Sequence, residues 1–317
     1  MADHSRTGRI DVHHHFYPPE YRSVMRKYGQ MPAVKGWTLE NTLEELDRNS
    51  VDTAMLSLSP PGVHLGTPDE CRTLARAVNE HAAKLRTERP SRFGHFATIP
   101  MPDIDACLTE IAYAMDTLGA DGIQLMTSYD NKWPGHPDFD PVFEELNRRK
   151  AVVFLHPLEP DCCAGLIEWV PPPLAEFTAD TTRCVYSMLL SGLLSRCPDV
   201  EFILCHSGSS VPIFAGRAEV MGFGETFAHN LPNGIHHELQ RLNYDIALAA
   251  NRPALAALFA YVSSSQVLLG TDYPFGDTAE TIRGLEAFGL NAADIDAIFR
   301  GNAERLIPRL KATAPLS

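Results

Sequence analysis

Two histidines separated by one residue lie near the amino terminus, in the segment IDVHHH (10–15). On an extended strand, side chains two residues apart point to the same side, so His13 and His15 would face together and His14 would face away. Two imidazoles at this spacing can bind one metal ion. A histidine-rich, tag-like tail is the alternative, but an apolar strand and the segment HFYPPEY enclose the motif within the chain.

Two further histidines follow apolar runs that have the composition of buried strands. His156 ends the run VVFLH (152–156), and His206 follows FILC (202–205) and precedes a Ser-Gly turn. His156 is a candidate third metal ligand. His206 is either a fourth ligand or, as we prefer, a general acid/base that orients or deprotonates water at the metal. A packing role in the core is the alternative for each histidine.

A carboxylate closes the series in the segment VLLGTDYP (267–274). At the end of a strand, Asp272 can bind a metal and exchange a proton with a substrate, although an Asp at such a turn can also cap a helix. The residues that we predict to bind a single divalent metal are His13, His15, His156 and Asp272. The predicted catalytic groups are His206 and Asp272. The fourth predicted strand, Gly122–Met126, leads into the segment QLMTS (124–128). This segment has no lysine that could bridge two metals, so one metal is expected.

Eight short apolar runs alternate with helical patterns along the chain and would position these residues. Their count and order predict an α/β fold, a single (β/α)₈ TIM barrel with loop insertions that spans residues 1–317 as one domain. Catalytic groups of such barrels lie at the carboxyl ends of the strands, where all the candidates fall. The predicted strands are Arg9–His13, Asp52–Leu58, Phe93–Ile99, Gly122–Met126, Val152–His156, Glu201–Cys205, Leu242–Ile246 and Gln266–Leu269.

Helical periodicity fills the intervals between these strands. The predicted helices are Thr38–Arg48, Asp69–Arg86, Asp103–Leu118, Pro141–Arg149, Ser209–Val220, Asn291–Arg300 and Asn302–Leu310. Two segments exceed a minimal barrel: the proline-rich Leu158–Thr178 and the loop-rich Gly222–His237. The first follows strand five, so we expect it to lie over the catalytic mouth.

The overall composition restricts the class of partner. Hydrophobic residues make up 44% and charged residues 21% of the 317 residues, an ordinary globular balance. The net charge of -13 argues against nucleic-acid binding, which requires a basic face. An anionic small substrate is still compatible, because one arginine or one metal can outweigh a distant negative field.

The seven cysteines and the chain start indicate a cellular location. The cysteine number is odd and no spacing resembles a zinc ribbon, which favours a reducing compartment. The start MADHSRTGRIDVHHH has no apolar secretory region, and no apolar run is long enough to span a membrane. We therefore expect a cytoplasmic protein that neither enters nor binds a membrane.

The segments IDVHHHFYPPEY, PVFEELNRRKAVVFLHP, FILCHSGSSVPIFAGR, LLGTDYPF and GNAERL together resemble the amidohydrolase superfamily. Within it they are most similar to the branch of α-amino-β-carboxymuconate-ε-semialdehyde, γ-resorcylate and 6-methylsalicylate decarboxylases, from Ile10 to Leu310. The resemblance implies the same four metal ligands and identifies His206 as the catalytic histidine. Arg217 resembles an arginine that, in some relatives, crosses a dimer interface to a substrate carboxylate; an ordinary surface arginine is the alternative.

One segment departs from the semialdehyde decarboxylase, which carries arginines in the helix after its tryptophan. This chain has WTLENTLE (37–44) there, so a substrate with two carboxylates is not expected. Aromatic residues near the predicted mouth suit a flat aromatic acid, although aromatic residues beside loops are also ordinary packing. The residues assigned to substrate binding are Arg217, Phe16, Trp37 and Phe275.

The resemblance thus implies non-oxidative decarboxylation of a small hydroxybenzoate-type carboxylic acid by a homodimer. Zinc is the metal expected from histidine and carboxylate ligands, with manganese as the alternative. A hydrolase or hydratase of the same superfamily, acting on a small cyclic or aromatic substrate, would use the same ligands. A non-enzymatic metal-binding protein would have a closed four-ligand site, and the additional histidine on strand six argues against it.

Overall fold

The computed structural model describes residues 8–30 and 37–313, and within these ranges the strands form one sheet of eight. Each strand pairs in parallel with the next along the chain. Their bounds differ from the predicted ones by no more than two residues. The strands are β1 (Arg9–His15), β2 (Val51–Ser57), β3 (Phe93–Thr98), β4 (Gly122–Met126), β5 (Val152–His156), β6 (Glu201–Leu204), β7 (Asn243–Asp245) and β8 (Val267–Leu268).

The sheet closes between its first strand and the segment that begins with β8. The amide of Val12 donates to the carbonyl of Leu269 at 2.9 Å, and the amide of Asp272 donates to the carbonyl of His13 at 2.9 Å. Asp11 reinforces this seam, because its carboxylate accepts from both the amide and the hydroxyl of Thr271, at 3.0 and 2.6 Å. The predicted (β/α)₈ barrel is therefore confirmed.

Helices lie between the strands. They are α1 (Pro19–Lys27), α2 (Leu39–Arg48), α3 (Pro68–Glu88), α4 (Ile104–Ala112), α5 (Asp140–Arg148), α6 (Glu176–Leu190), α7 (Leu193–Arg196), α8 (Val211–Val220), α9 (Phe223–Thr226), α10 (Ile235–Gln240), α11 (Arg252–Tyr261), α12 (Thr278–Glu286), α13 (Ala292–Asp296) and α14 (Asn302–Leu306). The helix predicted from Ser209 begins two residues later, because Ser209 has a φ of 57° that a right-handed helix cannot contain.

The two predicted insertions have different structures. The segment 158–178 is mostly turns before α6 begins, whereas the segment 222–237 contains α9 and the start of α10. The ends of the predicted 1–317 domain, and the first residues used to judge a secretory signal, lie outside the described residues. Among the helices that the structure describes, none is both long and apolar enough to cross a bilayer.

Side-chain amides satisfy backbone groups where strand pairing stops near the carboxyl ends. Gln124 accepts from the amide of Leu58 at 2.7 Å and donates to its carbonyl at 2.5 Å. Asn79 forms the same pair of bonds with the backbone of Thr98, at 2.9 and 2.8 Å. These side-chain bonds replace the missing strand pairing, so the buried backbone groups at the strand ends are not left unpaired.

The barrel interior forms an apolar floor beneath the strand ends. Phe96 stacks on Phe154 with ring centroids 5.2 Å apart, and the edge of His13 meets Phe154 at 5.0 Å. Around them lie further buried apolar side chains from β1, β2, β5, β6 and β8. Polar groups at the strand ends therefore lie above a dry core, which strengthens their mutual electrostatic interactions.

Asn302, in the GNAERL segment, anchors the closing helix α14 to the barrel. Its side-chain amide donates to the carbonyls of Ser264 and Val267, at 2.8 and 2.7 Å. We expect Asn302→Ala to lower the free energy of unfolding by about 2–4 kcal/mol, because two carbonyls lose their donor. Denaturant unfolding measures this loss. The near-isosteric Asn302→Asp keeps the shape of the side chain but replaces the donor with a charged oxygen that faces both carbonyls, so it should lose at least as much stability; a loss under about 0.5 kcal/mol in this variant would contradict the anchoring role.

Candidate active site

Four side chains converge at the carboxyl ends of β1, β5 and β8. Nε2 of His15 lies 3.3 Å from Nε2 of His13 and 3.2 Å from Nε2 of His156. Oδ1 of Asp272 lies 3.3 Å from Nε2 of His13 and 3.0 Å from Nε2 of His15. The structure thus brings together all four residues that the sequence predicted as metal ligands.

The opposite ring nitrogen of each histidine has its own partner. Nδ1 of His13 bonds to Asp245 at 2.8 Å, and Nδ1 of His156 bonds to the carbonyl of Pro157 at 2.7 Å. A carboxylate and a carbonyl only accept, so both Nδ1 atoms donate, and in the neutral rings the Nε2 atoms carry lone pairs. Nδ1 of His15 lies 3.2 Å from the hydroxyl of Ser57. Such outer contacts set the tautomer of a metal-binding imidazole.

Asp245, at the end of β7, is a positioning residue that the sequence analysis did not identify. Its Oδ2 orients His13, while its Oδ1 accepts from the amides of His206 and Ala247 at 2.9 and 3.0 Å. It is fully buried. The available signal was the carboxylate that ends the apolar run LNYDIA, in the same position along its strand as the predicted site residues.

His206 lies beside the cluster on the side of Asp272. Its Nε2 is 3.4 Å from Oδ2 of Asp272, and its ring centroid is 5.2 Å from that of His13. One nitrogen or oxygen atom from each of His13, His156, His206 and Asp272 lies within 4.8 Å of all the others. Because His206 contacts the outer carboxylate oxygen, this position suits proton exchange with Asp272.

The backbone at these two catalytic candidates is strained. His206 has a φ of 55° and Asp272 a φ of 59°, and Ser207 and Ser209 are also left-handed. Left-handed conformations cost non-glycine residues about 1–2 kcal/mol each and persist only where the surroundings enforce them. The bonds from Asp245 to the His206 amide and from the Asp272 amide to β1 provide that enforcement.

The ionisation of the cluster matches a cation site. Burial lowers the pKa of His15 and of His156, which keeps both rings neutral. Burial opposes ionisation of Asp272, but neighbouring histidines outweigh it and hold its pKa well below the usual range. Burial likewise opposes charge on His13, yet the Cys205 sulfur and two carboxylates raise its pKa well above the ordinary value. A positive charge is thus favoured at the centre of the four side chains.

The donor set fits one divalent metal ion. Oδ1 of Asp272 is buried and has no hydrogen-bond partner. The Nε2 lone pairs of neutral His15 and His156 repel each other at 3.2 Å unless a proton or a cation lies between them. Metal–nitrogen bonds of about 2.0–2.1 Å place tetrahedral ligands about 3.3 Å apart, which agrees with the observed separations. Three imidazoles and one carboxylate are ligands suited to zinc, manganese or iron.

The residues assigned to substrate binding have different environments. The Phe275 ring is 46% exposed and lies 5.9 Å from the ring of His15, beside the cluster. Phe16 is 2% exposed and packs edge to face on Trp37, because it follows His15 and faces the other side of the strand. Arg217 is exposed on α8. A substrate contact stays a prediction for all four residues.

A cleft of about 460 Å³ lies among loops at the same end of the barrel as the cluster, within the usual size range of small-molecule sites. Its walls come from the loops after β2, β4 and β5, and they include His64, Tyr129 and Leu158. Phe177 connects the cleft to the site, since its ring lies 6.3 Å from that of His156. The segment 158–178 therefore flanks the mouth, as its position after strand five predicted.

Residues 10–309 match the family model described as amidohydrolase. The chain is 36% identical to the decarboxylase yanB of Aspergillus niger, over 97% of this chain and 89% of that protein. It is also 36% identical to the 6-methylsalicylic acid decarboxylase of Penicillium expansum, over 96% of this chain and 97% of that one. A solved dihydroxybenzoic acid decarboxylase from Polaromonas, with bound manganese and 2-nitroresorcinol, has a TM-score of 0.83 at 21% identity and covers 95% of this chain and 97% of that chain.

The orienting bond from Asp245 to His13 predicts a loss of metal affinity in Asp245→Asn. The asparagine oxygen can still accept from the His206 amide, but its NH₂ group would face Nδ1 of His13. The ring would then take the tautomer whose Nε2 bears hydrogen and cannot bind metal. We expect a 10- to 100-fold weaker divalent metal affinity at unchanged circular dichroism. Metal titration with a chelating competitor measures it.

Glu201→Gln is the control for this variant, because Glu201 lies at the start of β6, at the opposite end of the barrel. It accepts from Asn243 rather than from a site histidine. Metal affinity should match that of the unmodified protein in this control. Equal affinity in Asp245→Asn and in the control would contradict the orienting role.

Proposed function

Because the chain belongs to the amidohydrolase family, we propose that it catalyses the metal-dependent, non-oxidative decarboxylation of an aromatic, hydroxybenzoate-type carboxylic acid. The predicted resemblance to this superfamily and to its decarboxylase branch is confirmed by the family match and by relatives named decarboxylases. The predicted enzyme class, a carbon–carbon lyase, agrees with the same relatives. The activity is a carboxy-lyase reaction, in which a carbon–carbon bond is broken and carbon dioxide leaves.

One observation supports this function above the others, namely a cluster of three histidines and one carboxylate with a further histidine on its outer side. The separations of 3.0–3.4 Å fit a single ion, and His206 is left over as a proton-transfer group. A purely structural metal site is usually closed and has no such additional group. The cleft has room for a small aromatic acid.

The metal is held by His13, His15, His156 and Asp272 in this proposal. When bound, it supplies a Lewis acid that anchors a substrate carboxylate or adjacent hydroxyl oxygen and offsets negative charge. Manganese is bound in the solved dihydroxybenzoic acid decarboxylase, and the nitrogen-rich donor set of this chain also suits zinc. Metal analysis of the purified protein distinguishes the two.

Proton delivery is the part of the reaction that the side chains perform. We assign it to Asp272, whose outer oxygen faces His206 at 3.4 Å. Protonation of a ring carbon interrupts aromaticity, and the electron pair of the breaking carbon–carbon bond then restores it as carbon dioxide leaves. Neighbouring histidines hold the pKa of Asp272 well below its usual range, so the carboxylate starts ionised, and His206 supplies the proton that Asp272 passes to the ring carbon in this proposal.

Phe275 and Arg217 complete the substrate site in this proposal. The exposed ring of Phe275 beside His15 offers an apolar edge to an aromatic ring. Arg217 lies on α8 among exposed apolar side chains, of which Ile213 is 63% and Val220 is 89% exposed. An exposed apolar helix face of this kind is typical of a subunit interface, so we propose a homodimer in which Arg217 faces the partner's site.

Phe16 and Trp37 are the other two residues that we propose for substrate binding. The two rings pack on each other next to Tyr17, whose hydroxyl bonds to Ser59 at 2.6 Å. For localisation, the seven unpaired cysteines fit the reducing cytoplasm that we propose.

A panel of salicylate- and resorcylate-type acids tests the reaction. We expect metal-loaded protein to release carbon dioxide from at least one acid, His13→Ala to release none for lack of metal, and His206→Asn to retain metal but lose about 10²- to 10⁴-fold in kcat. The readouts are carbon dioxide release and metal content. Absence of release, together with hydrolysis of an ester, lactone or amide and incorporation of solvent oxygen, would instead favour the hydrolase alternative.

Ile213→Glu tests the dimer. A charge in an apolar interface is costly to bury, so this variant should sediment as a monomer while the unmodified protein sediments as a dimer. Ile167→Glu is the matched control, since this isoleucine is 52% exposed on the segment after β5 and should leave the dimer intact. Dissociation of the control alone would move the interface to that segment, and a monomeric unmodified protein would refute the dimer.

A further inference from the structure

Cys162 and Cys163 are neighbours in sequence and in space, on a helical turn of the segment that follows β5. Their Sγ atoms lie 3.0 Å apart. Cys162 is exposed and Cys163 is partly exposed. Side chains of adjacent residues usually diverge, so this geometry presents two sulfur atoms together at the surface.

The turn that carries the two thiols is held in place. The amide of Cys162 donates to the side-chain oxygen of Asn131, in the loop after β4, at 2.7 Å. The amide of Cys163 donates to the carbonyl of Pro160 at 2.9 Å. Both thiols therefore project from one turn that two backbone hydrogen bonds hold in place. A ligand that binds two sulfurs finds this pair preorganised.

The remaining cysteines are inaccessible to a large reagent. Cys71, Cys107, Cys184, Cys197 and Cys205 are all buried. Burial also raises the pKa of Cys197 to about 11, which keeps this thiol protonated and unreactive. Thiol chemistry on the folded chain is thus directed to the adjacent pair.

A disulfide between adjacent residues is an unfavourable use of this pair. Their Cα atoms are about 3.8 Å apart, whereas disulfides usually span about 4.4–6.8 Å, so the bond would be strained and readily reduced. A single soft atom bound to both sulfurs avoids direct sulfur–sulfur bonding. Thiolates are the protein ligands that soft metal centres prefer.

We propose that Cys162 and Cys163 form a dithiol site that binds one thiophilic centre, such as trivalent arsenic, through both sulfurs. With an arylarsenic(III) oxide the balance is complete. Two S–H bonds and the arsenic–oxygen bonds break, two arsenic–sulfur bonds form, and the oxide leaves with both protons as one water. Arsenic stays trivalent and no oxidant is needed.

The dithiol site adjoins the mouth of the cleft. Asp161 and Ala164, which flank the two cysteines, both line the cleft, as does Asn131. A ligand on the sulfurs therefore lies at the rim of the cleft. Binding at the two sulfurs can be tested without measuring activity.

Phenylarsine oxide and intact-mass measurement test the site on the full-length folded protein. We expect one adduct per chain, with a mass gain of the reagent less one water. The adduct should survive a monothiol and be lost on addition of a dithiol, because only the latter competes as a chelator. Cys162→Ser, Cys163→Ser and the double variant should each lose the stable adduct.

Ala164→Ser is the matched control, since it adds the same hydroxyl beside the pair and keeps both sulfurs; its adduct should equal that of the unmodified protein. Circular dichroism checks that each variant is folded. An adduct that persists in the double variant would place the reaction at another cysteine. Adducts removed equally well by monothiol, or retained by both single variants, would show attachment through one sulfur and refute the chelate.

Discussion

The Nε2 atoms of His13, His15 and His156 converge at separations of 3.2–3.3 Å, and keeping them there is the constraint on which the rest of the site depends. Lone pairs at this distance repel in a medium of low polarity. A proton or a cation between these atoms relieves the repulsion, while acceptors that face Nδ1 of His13 and of His156 hold those rings in place. The outer contacts to Asp245, Ser57 and Pro157 are thus as necessary to the arrangement as the ligands themselves.

The same constraint accounts for the unusual backbone at two strand ends. A strand that continued regularly would direct His206 and Asp272 along the barrel rather than across its mouth. Left-handed residues turn these side chains inward; the carboxylate of Asp245 accepts from the turned amide of His206, and the carbonyl of His13 accepts from that of Asp272. Backbone strain at the site lowers the stability of the fold, and apolar packing in the surrounding barrel offsets this loss. Such a balance is common where catalytic groups are preorganised.

The barrel and the convergence of the site residues could be predicted because these residues stand at the ends of the apolar runs that identify strands. The runs that end in His13, His156 and Asp272 are apolar and short, which identifies buried strands, and parallel strands of a barrel end at one face. Eight such runs therefore determined both the fold and the neighbours of each histidine. The family resemblance added the assignment of roles.

Other features could not be predicted from the sequence, for reasons that lie in three-dimensional contacts. Asp245 orients His13 from a strand distant in sequence, and no local pattern indicates which nitrogen it contacts. The start of α8 was misplaced because serine has no special signature of a left-handed backbone.

The seam between β1 and the segment after β8 has a consequence for how the chain matures. Asp11 and His13 leave the ribosome long before their partners Thr271 and Asp272, because Asp11 and Thr271 are 260 residues apart in the sequence. Until then the nascent chain carries an unfinished set of donors with free nitrogen lone pairs. Completion of the four-residue donor set and closure of the barrel are therefore one event, and a chain cut short before Thr271 has neither.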